Sequence, residues 1–537
     1  PEYQNNVALQ KQNIPYVGEV FLGHVRYGTF GKNSIESVHP FLRQSNWMHR
    51  NLILAGNFNM TNVDELLQQL YDLGQHPKER ADTVTVLEKI GHFLDDENQF
   101  LFNKFKREGY DNAEISQLIG NHLNVNRILQ KSAKTWDGGY TIAGIFGHGD
   151  AFILRDPAGI RPAYYYYDDE IFVAASERPA LQTAFNIKIG QVKEIEPGHA
   201  LIIKKDGSIS DEIFREPVEK KACSFERIYF SRGSDADIYK ERKKLGAILC
   251  PKILDLVNHD LEHTVFSYIP NTAEVSFYGL VEGLHAYTKN KQRDALINSR
   301  DNLTDEELDR ILRITPRVEK LAIKDAKMRT FITQDAERSD MVAHVYDTTY
   351  GLIKRDVDTL VAVDDSIVRG TTLKQSILRI FDRLGPVKII IVSSAPQIRY
   401  PDCYGIDMSR MGEFIAFEAA ITLLRERKMD DVITAVYNQC KAQENLPKEQ
   451  VQNQVKAIYA PFTTEEISAK IAQIITPKEI QAKVEVVYQT IEGLHEACPN
   501  HLGDWYFSGN YPTPGGNKVV NRAFMNWMEG KNARAYM

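Results

Sequence analysis

The sequence predicts an α+β domain of layered antiparallel sheets, followed by an α/β domain built on a mainly parallel sheet. Short β-like runs, separated by Gly, Asp and Pro, fill residues 15–62 and 140–204. A block of helical periodicity lies between these two stretches. After residue 225, strand-like and helix-like segments alternate, which is typical of a parallel sheet covered by helices.

Three regions are expected along the 537 residues. A charged connector, FREPVEKKACSF, separates the two patterns. The expected regions are a first domain at 1–215, a second domain at 225–480, and a C-terminal extension at 481–537 that packs on the core.

The first domain is expected to run from strands through helices and back to strands. EVFLGHV (19–25) and NLILAGNF (51–58) are predicted strands. The helical block that follows, at 62–136, contains VDELLQQLYDLG and TVTVLEKIGHFL, and we expect it to be an exposed structural appendage. YTIAGIFG, AFILRD, IFVAAS and HALIIKK are the predicted strands after it.

In the second domain the predicted strands are HTVFSYIP, TLVAV and VKIIIVSSA. The predicted helices between them are VSFYGLVEGLHAY and LKQSILRIFDRL. The second helix has apolar residues at helical spacing, at Leu373, Ile377, Leu378, Phe381 and Leu384. Gly385 follows at the position where a glycine commonly ends a helix.

Composition and charge exclude several classes of function. With 43% hydrophobic and 26% charged residues, the chain has the composition of an ordinary soluble globular protein. A formal net charge of -7 gives no basic footprint for nucleic acid or an anionic membrane. No apolar run approaches the roughly 20 residues that cross a bilayer. The five cysteines form no CxxC pair, which argues against a zinc site or a disulfide framework and favours a reducing cytoplasm.

The stretch TLVAVDDSIVRGTT places two carboxylates and several hydroxyls directly after a predicted buried strand. Ligands of open α/β sheets bind beyond the carboxyl ends of strands. Gly370 lets the backbone fold closely around an anion, and the following helix directs its first amides at it. Because Asp364 and Asp365 would repel a phosphate, they need another partner: sugar hydroxyls, a divalent cation, or both. A phosphorylated sugar that carries Mg2+ satisfies the whole loop.

VDDSIVRGTT resembles the phosphoribosyl pyrophosphate (PRPP) signature of type I phosphoribosyltransferases, in the form carried by the glutamine PRPP amidotransferases. CSFERIYFSRGSDADIYKERKKLG, IPNT, KMRTFI and SSAPQIRYPDCYGIDM resemble the same family. The resemblance spans nearly the whole chain. It implies an enzyme that makes 5-phosphoribosylamine from PRPP and glutamine, the first committed step of purine synthesis.

The resemblance implies roles for individual residues of this half. Asp364 and Asp365 would hold the ribose hydroxyls and the metal, and Thr272 would complete the metal site. Arg329, as a catalytic residue, and Lys324 would lie near the pyrophosphate. The 5-phosphate would lie in the loop formed by Ser366, Ile367, Val368, Arg369, Gly370, Thr371 and Thr372.

LGHVRYGTFG, LAGNFNMTN and ADTVTV resemble the glutamine pocket of N-terminal-nucleophile amidotransferases. The resemblance implies that Arg26, with Thr29 in the same motif, binds the carboxylate of glutamine, as a bidentate guanidinium does well. Asp82 would take the ammonium group. The side-chain amide of Asn57 and the backbone N–H of Phe58 would form the oxyanion hole.

Two departures concern the glutamine half. Phe58 stands where the family usually has glycine, and it hinders access to positive φ. The family attacks glutamine with an N-terminal cysteine, whereas this chain starts at Pro1 and has no cysteine before Cys223. We therefore expect that an N-terminal segment is missing from this sequence; if it is not, the glutaminase half is inactive.

Two further departures concern the transferase half. The lid, TQDAERSDMVAHVYDTTYGLIKRD, is less basic than the family's lid, so pyrophosphate would meet less positive charge. Some family members hold an iron–sulfur cluster through four cysteines. Cys223 and Cys403 fall at or near two of those positions, but NHLGDWYFSGNYP offers no cysteine for the other two. We expect no iron–sulfur cluster, with packing taking over its structural part.

Two alternatives stay open beside the glutamine-dependent enzyme. One is a transferase that uses free ammonia or another amine and carries an inactive glutaminase half. The other is a PRPP-sensing regulator without turnover. The resemblance also implies a homo-oligomer, a dimer or tetramer, and inhibition by purine nucleotides.

Overall fold

The computed structural model describes residues 6–25, 38–77, 79–300, 303–324, 346–406, 408–533 and 535. Two compact units can be separated within it. The first comprises Pro1–Ser176 with Lys193–Glu219, and the second comprises Glu177–Val192 with Lys220–Met537. The predicted limits of the three regions, and their assignment to activities, stay predictions.

The strands of the first unit are β1 (Phe41–Arg43), β2 (Leu52–Met60), β3 (Gly138–Phe146), β4 (Ala151–Arg155), β5 (Tyr164–Tyr167), β6 (Phe172–Ala175), β7 (Lys193–Glu194), β8 (His199–Ile203) and β9 (Ile209–Ile213). Its helices are α1 (Val7–Asn13), α2 (Val63–Asp72), α3 (Asp82–Arg107), α4 (Asn112–His122) and α5 (Val125–Ala133).

In the described part of this unit, an antiparallel sheet has the order β1-β2-β3-β4-β8-β9, and a smaller antiparallel sheet has the order β6-β5-β7. Ile153 and Leu201 of the large sheet form one apolar cluster with Ala163 and Ile195, against which Tyr165 and Phe172 of the small sheet pack. This cluster lies between the two sheets. The predicted layered antiparallel architecture is confirmed.

The helical block between the strands is not an exposed appendage, so that expectation was wrong. Val86, Ile90 and Leu94 of α3 are fully buried and belong to the same apolar cluster as Leu54 and Ile142 of the large sheet. The apolar positions of α3 recur at helical spacing and form a stripe that covers one face of this sheet. The block therefore supplies half of the core of this unit.

The predicted strand EVFLGHV is also corrected. Residues 19–25 have no strand conformation, and Phe21 and Val25 are 65% and 99% exposed. A strand requires a neighbour that pairs with its backbone groups, and no described strand pairs with this segment. Its alternating apolar pattern alone was therefore misleading.

The second unit has the strands β10 (Thr264–Tyr268), β11 (Arg317–Val318), β12 (Ala322–Lys324), β13 (Tyr346–Thr348), β14 (Thr359–Asp364), β15 (Lys388–Ser393) and β16 (Lys483–Tyr488). Its helices are α6 (Arg178–Phe185), α7 (Ala236–Leu256), α8 (Glu274–Asn298), α9 (Asp305–Leu312), α10 (Leu378–Arg383), α11 (Ile415–Glu426), α12 (Asp430–Ala442), α13 (Lys456–Tyr459), α14 (Thr464–Ile475), α15 (Ile491–Ala497), α16 (Trp505–Ser508) and α17 (Pro514–Met528).

A parallel sheet of order β11-β10-β14-β15-β16 forms the centre of this unit in the described residues, which confirms the predicted α/β architecture. Val363, Val392 and Val487 of three neighbouring strands share one apolar cluster with α7 and α8. Strand β16 comes from the region predicted as a C-terminal extension. Gly385, with φ +81°, follows the helix after β14 as expected.

Among the helices of the described residues, none combines the length and the apolar character that a membrane span requires.

Candidate active site

The acid pair lies where the central strand of the parallel sheet ends. Leu360 to Val363 are fully buried, and Asp364 is the last residue of β14. The next strand fixes this point, because the backbone N–H of Ser394 donates to the carbonyl of Asp364 at 2.9 Å. The Ser394 hydroxyl donates to the carbonyl of Asp365 at 3.1 Å. The carboxylates thus occupy the end of a sheet at which α/β proteins bind ligands.

Burial and mutual repulsion make the ionised acid pair costly. Burial, followed by the charge of Asp365, raises the pKa of Asp364 well above its usual value. Burial raises the pKa of Asp365 to about 6, although hydroxyl donors of Ser366 and Thr272 and the positive charge of Arg242 oppose the rise. Two carboxylates in one site cannot both ionise at low cost. The pair therefore favours a ligand that brings positive charge or hydroxyl donors.

Thr272 reaches the acid pair from the neighbouring strand. It follows β10, which runs parallel to β14, and its hydroxyl donates to the carboxylate of Asp365. Because the carboxyl ends of parallel strands meet at one edge, residues about 90 positions apart come together. The Thr272 hydroxyl and the acid pair thus form one group of oxygen atoms.

Lys324 lies at the end of β12, opposite Tyr346 of β13. Its ammonium group acts on Asp364, where it opposes the rise in pKa caused by burial. It also lies 5.7 Å from the centre of the Tyr346 ring. Arg329 falls within residues 325–345, outside the described part of the chain.

The loop after the acid pair folds tightly into a helix. Ser366 donates its hydroxyl to Asp365 Oδ1 at 3.0 Å. Ile367 is buried, and the carbonyl of Val368 accepts the N–H of Ile415 at 2.9 Å. Gly370 has φ +70°, and helical backbone begins at Thr371 and continues through a π-helical segment, Leu373–Ile377, into α10. The first backbone amides of a helix have no partner within it, so a helix start directly after this loop suits a phosphate.

Glycine is required at position 370 for two reasons. Its positive φ is unfavourable for other residues, and a Cβ there would lie 2.8 Å from Cγ2 of Ile475. The side chain of Arg369, in contrast, pairs with Glu413, which also accepts from Arg410 at 3.2 Å. The guanidinium of Arg369 therefore has an acidic partner beside the phosphate loop.

Three groups near the acid pair were not identified from the sequence. Arg242 acts on Asp365 from α7, and the phenols of Tyr346 and Tyr488 both interact with Asp364. Arg242 lies in CSFERIYFSRGSDADIYKERKKLG, one of the stretches that resemble the family, so its positive charge could have identified it as a candidate site residue. The two tyrosines come from separate strands, and only the sheet order places them here.

The candidate glutamine residues gather at one end of β2. Asn57 and Phe58 lie within β2 and pair with Thr141 and Tyr140 of β3. Asp82 is the first residue of α3, and its carboxylate accepts the backbone N–H of Thr83 at 2.8 Å and that of Met60. Burial raises the pKa of Asp82. The carboxylate is thus attached to the same strand as Asn57 and Phe58.

Arg26 and Thr29 fall within residues 26–37, outside the described part of the chain. The rings of His24 and His39, near the two ends of this segment, stack 4.6 Å apart. His39 in turn lies 5.9 Å from the ring of Phe58. His39 therefore lies beside Phe58, whose backbone is that of an ordinary strand residue.

The aromatic tail contacts Cys223 and the residue that precedes Cys403. The Sγ of Cys223 lies 3.6 Å from the hydroxyl of Tyr506, and Gly503 donates its N–H to Ala222 at 2.8 Å. Trp505 donates its indole N–H to Asp402, next to Cys403, at 3.0 Å. Packing and hydrogen bonds thus join the three chain segments. The expected lack of an iron–sulfur cluster stays a prediction.

No family model matches the sequence. The chain is 28% identical over 423 residues to the amidophosphoribosyltransferase of Pseudomonas aeruginosa, covering 76% of this chain and 73% of the relative. It is 29% identical over 424 residues to that of Pasteurella multocida, covering 77% and 73%. It is 27% identical over 422 residues to that of Bacillus subtilis, covering 78% and 74%. These relatives confirm the resemblance that the motifs indicated.

Solved structures share the fold. The glutamine PRPP amidotransferase from Bacillus subtilis, complexed with ADP and GMP, has a TM-score of 0.58 and 24% identity, covering 91% of this chain and 82% of that chain. A structure described as the allosteric regulatory enzyme of purine biosynthesis has the same TM-score at 23% identity, covering 91% and 81%. The order of an antiparallel unit followed by a parallel unit is therefore shared with known proteins.

Proposed function

We propose that this chain, a homologue of the amidophosphoribosyltransferases, converts PRPP, glutamine and water into 5-phosphoribosylamine, glutamate and pyrophosphate, the first committed step of purine synthesis. The observation that carries the proposal is the acid pair at the end of β14, followed directly by the Gly370 loop and a helix. That order provides a carboxylate site and an anion site side by side. The curated relatives favour this enzyme over an ammonia-only transferase or a regulator without turnover.

Asp364 and Asp365 bind the two ribose hydroxyls in this proposal. Hydroxyl donors stabilise ionised carboxylates, so the sugar relieves part of the repulsion within the pair. Thr272 holds Asp365 in position through its hydroxyl. Amides of residues 366–372 bind the 5-phosphate at the opposite end of the sugar.

The oxygen donors fit Mg2+. This ion is bound in proteins by one or two carboxylates, together with substrate phosphates and water. Asp364, Asp365 and Thr272 supply such donors, and a bound cation would offset the repulsion between the two carboxylates. When bound, Mg2+ would neutralise charge on the departing pyrophosphate.

Lys324 and Arg329 stabilise the same departing charge from the protein side. Lys324 already lies within electrostatic range of Asp364. Arg329 follows Lys324 by five positions in the sequence. Loss of pyrophosphate leaves cationic character at the anomeric carbon, which ammonia then attacks.

The first unit supplies that ammonia. Arg26 and Thr29 hold the carboxylate of glutamine, and Asp82 holds its ammonium group. The half-buried Asp82 carboxylate gains from this, since an ammonium partner favours its ionised form. When a nucleophile adds to the carbonyl of the reacting amide, the side-chain amide of Asn57 and the N–H of Phe58 would stabilise the oxyanion; its collapse releases ammonia, and water then hydrolyses the acyl group to glutamate.

The proposal extends to regulation, assembly and location. Purine nucleotides inhibit the enzyme, as the ADP and GMP bound to the Bacillus subtilis structure suggest by analogy. The enzyme is a homo-oligomer, a dimer or tetramer, and is located in the cytoplasm.

Pyrophosphate release tests the proposed function. The full-length protein is given PRPP, Mg2+ and glutamine, and pyrophosphate and glutamate are measured together. Equal amounts of both products are expected. Asp364→Asn should lower the rate at least 100-fold, whereas Asp430→Asn, an exposed control in α12, should not change it. Absence of pyrophosphate from the wild-type protein would overturn the proposal.

A further inference from the structure

Asp364, Ser393 and Tyr488 occupy one row across three neighbouring parallel strands. Asp364 pairs with Ser393, and Ser393 pairs with Tyr488. The preceding residues of the three strands all belong to the apolar cluster that faces α7 and α8. Because side chains alternate along a strand, Asp364, Ser393 and Tyr488 lie together on the opposite face.

The side chain of Ser393 fills little of the space between Asp364 and Tyr488. It is the smallest side chain of the row, and its hydroxyl donates to the carbonyl of Ala395 at 2.8 Å. Strands lie about 4.8 Å apart, so the Cα atoms of Asp364 and Tyr488 are separated by roughly 10 Å. A tyrosine side chain is long enough to cover much of that distance.

The phenol of Tyr488 is buried without a hydrogen-bond partner among the described residues. Tyr488 is 2% exposed, and its Oη makes no hydrogen bond there. Buried phenols usually have a partner, because an unsatisfied buried donor is costly. The phenol also lies within electrostatic range of Asp364. Burial, and then the charge of Asp364, raise the pKa of Tyr488. The hydroxyl therefore keeps its proton and remains a donor.

We propose that Tyr488 is a specificity-determining residue whose hydroxyl donates to a ribose hydroxyl held by Asp364. The inference rests on the proposed function and deepens it, because it names the part of the substrate that this residue recognises. The bound sugar would supply the partner that the phenol lacks in the ligand-free protein. Asp364 would accept a hydrogen bond from this ribose hydroxyl, and Tyr488 would donate one to it.

Tyr488→Phe tests the inference, since it removes the hydroxyl and keeps the ring. Calorimetry with PRPP and Mg2+ should show about tenfold weaker binding, the typical effect of one hydrogen bond to a polar ligand. The melting temperature should stay unchanged or rise, because the removed group has no partner. A purely structural role predicts the reverse: a lower melting temperature with unchanged affinity.

Tyr459→Phe is the matched control. Tyr459 is equally buried, but its hydroxyl donates to the carbonyl of Arg399 at 2.6 Å. This variant should melt at a lower temperature than the wild type and bind PRPP with the same affinity. The pair of variants thus separates loss of a ligand contact from loss of an internal hydrogen bond.

Analogues of PRPP that lack the 2-hydroxyl or the 3-hydroxyl complete the test. For one of the two analogues, the wild type and Tyr488→Phe should bind equally well, because the partner of the phenol is already gone. An undiminished difference with both analogues, or no difference with PRPP itself, overturns the inference and leaves the proposed function intact. Failure of the wild type to bind PRPP would instead overturn the proposed function, and the inference with it.

Discussion

The backbone N–H of Asp365 donates to Oδ1 of Asp364 at 2.9 Å, so the chain itself ties the two neighbouring carboxylates together. This contact holds the side chain of Asp364 close to the backbone, while Ser366 and Thr272 donate to Asp365. The two acids are thus fixed by different donors. Their repulsion is built into the ligand-free protein and makes the site dependent on its ligand.

Removal of one of the two repelling carboxylates should raise the melting temperature of the ligand-free protein. Asp365→Asn removes one of two half-buried, repelling charges. We therefore expect the ligand-free variant to melt roughly 1–2 °C above the wild type, the shift expected for about 1 kcal/mol in a unit as large as the second one. The same variant should lose at least 100-fold in the rate of pyrophosphate release. Thermal melts without ligand and the product assay check both effects. A lower melting temperature would show that the acid pair is held by contacts stronger than its repulsion.

Gly370→Ala should damage the phosphate loop. Its φ of +70° and the 2.8 Å approach to Ile475 leave no room for a methyl group. We expect a loss of about 1–2 kcal/mol in the free energy of unfolding, and PRPP binding at least tenfold weaker. Denaturant melts and calorimetry measure these quantities. Gly190→Ala, where a Cβ meets no atom within 4 Å, is the control and should behave as the wild type.

Asp82→Asn separates the two half-reactions. The substitution should raise the KM for glutamine at least tenfold, because the ammonium group loses its ionic partner. Synthesis of 5-phosphoribosylamine from free ammonia should remain within twofold of the wild-type rate. Steady-state kinetics with each nitrogen source check this in the full-length protein. Equal losses with glutamine and ammonia would contradict a role for Asp82 in glutamine binding.

His49 should make the first unit sensitive to acid. Burial, and then the charge of His148, lower the pKa of His49; Lys205 acts in the same direction, while Asp150 and a hydrogen bond that the imidazole donates to Ser116 oppose it. The unfolded chain therefore takes up a proton near pH 6.5, before the folded state does. Stability contributed by the neutral imidazole is present above pH 6.5 and falls as the pH drops below it.

Thermal melts between pH 7.5 and pH 5.5 measure this effect. The wild type should lose several degrees over that range, and His49→Gln should lose less. His285→Gln, at an exposed position of α8, should retain the wild-type slope. Identical slopes for all three proteins would exclude His49 as the group responsible.

Much of the site was predictable because its main parts are contiguous in the chain. Asp364, Asp365 and the Gly370 loop lie within ten residues, and local order alone indicates strand, acids, loop and helix. Thr272 was found through its motif. These residues could be predicted without knowing the order of the strands in the sheet.

Groups brought in by tertiary structure were not predictable in this way. Tyr488 lies more than 100 residues after the acid pair, at the end of KVEVVY, a strand that its charged residues obscure. Glu413 pairs with Arg369 from a short turn before α11. The core role of α3 was also missed, since helical periodicity shows an apolar face but not what covers it.

Calorimetry of PRPP binding with and without Mg2+ tests the central claim most directly. We predict that the wild type binds PRPP with Mg2+, that chelation of the metal weakens binding at least tenfold, and that Asp364→Asn combined with Asp365→Asn abolishes it. Binding that is unaffected by chelation, or that survives in the double variant, would contradict the assignment of this acid pair to a magnesium-bearing sugar phosphate.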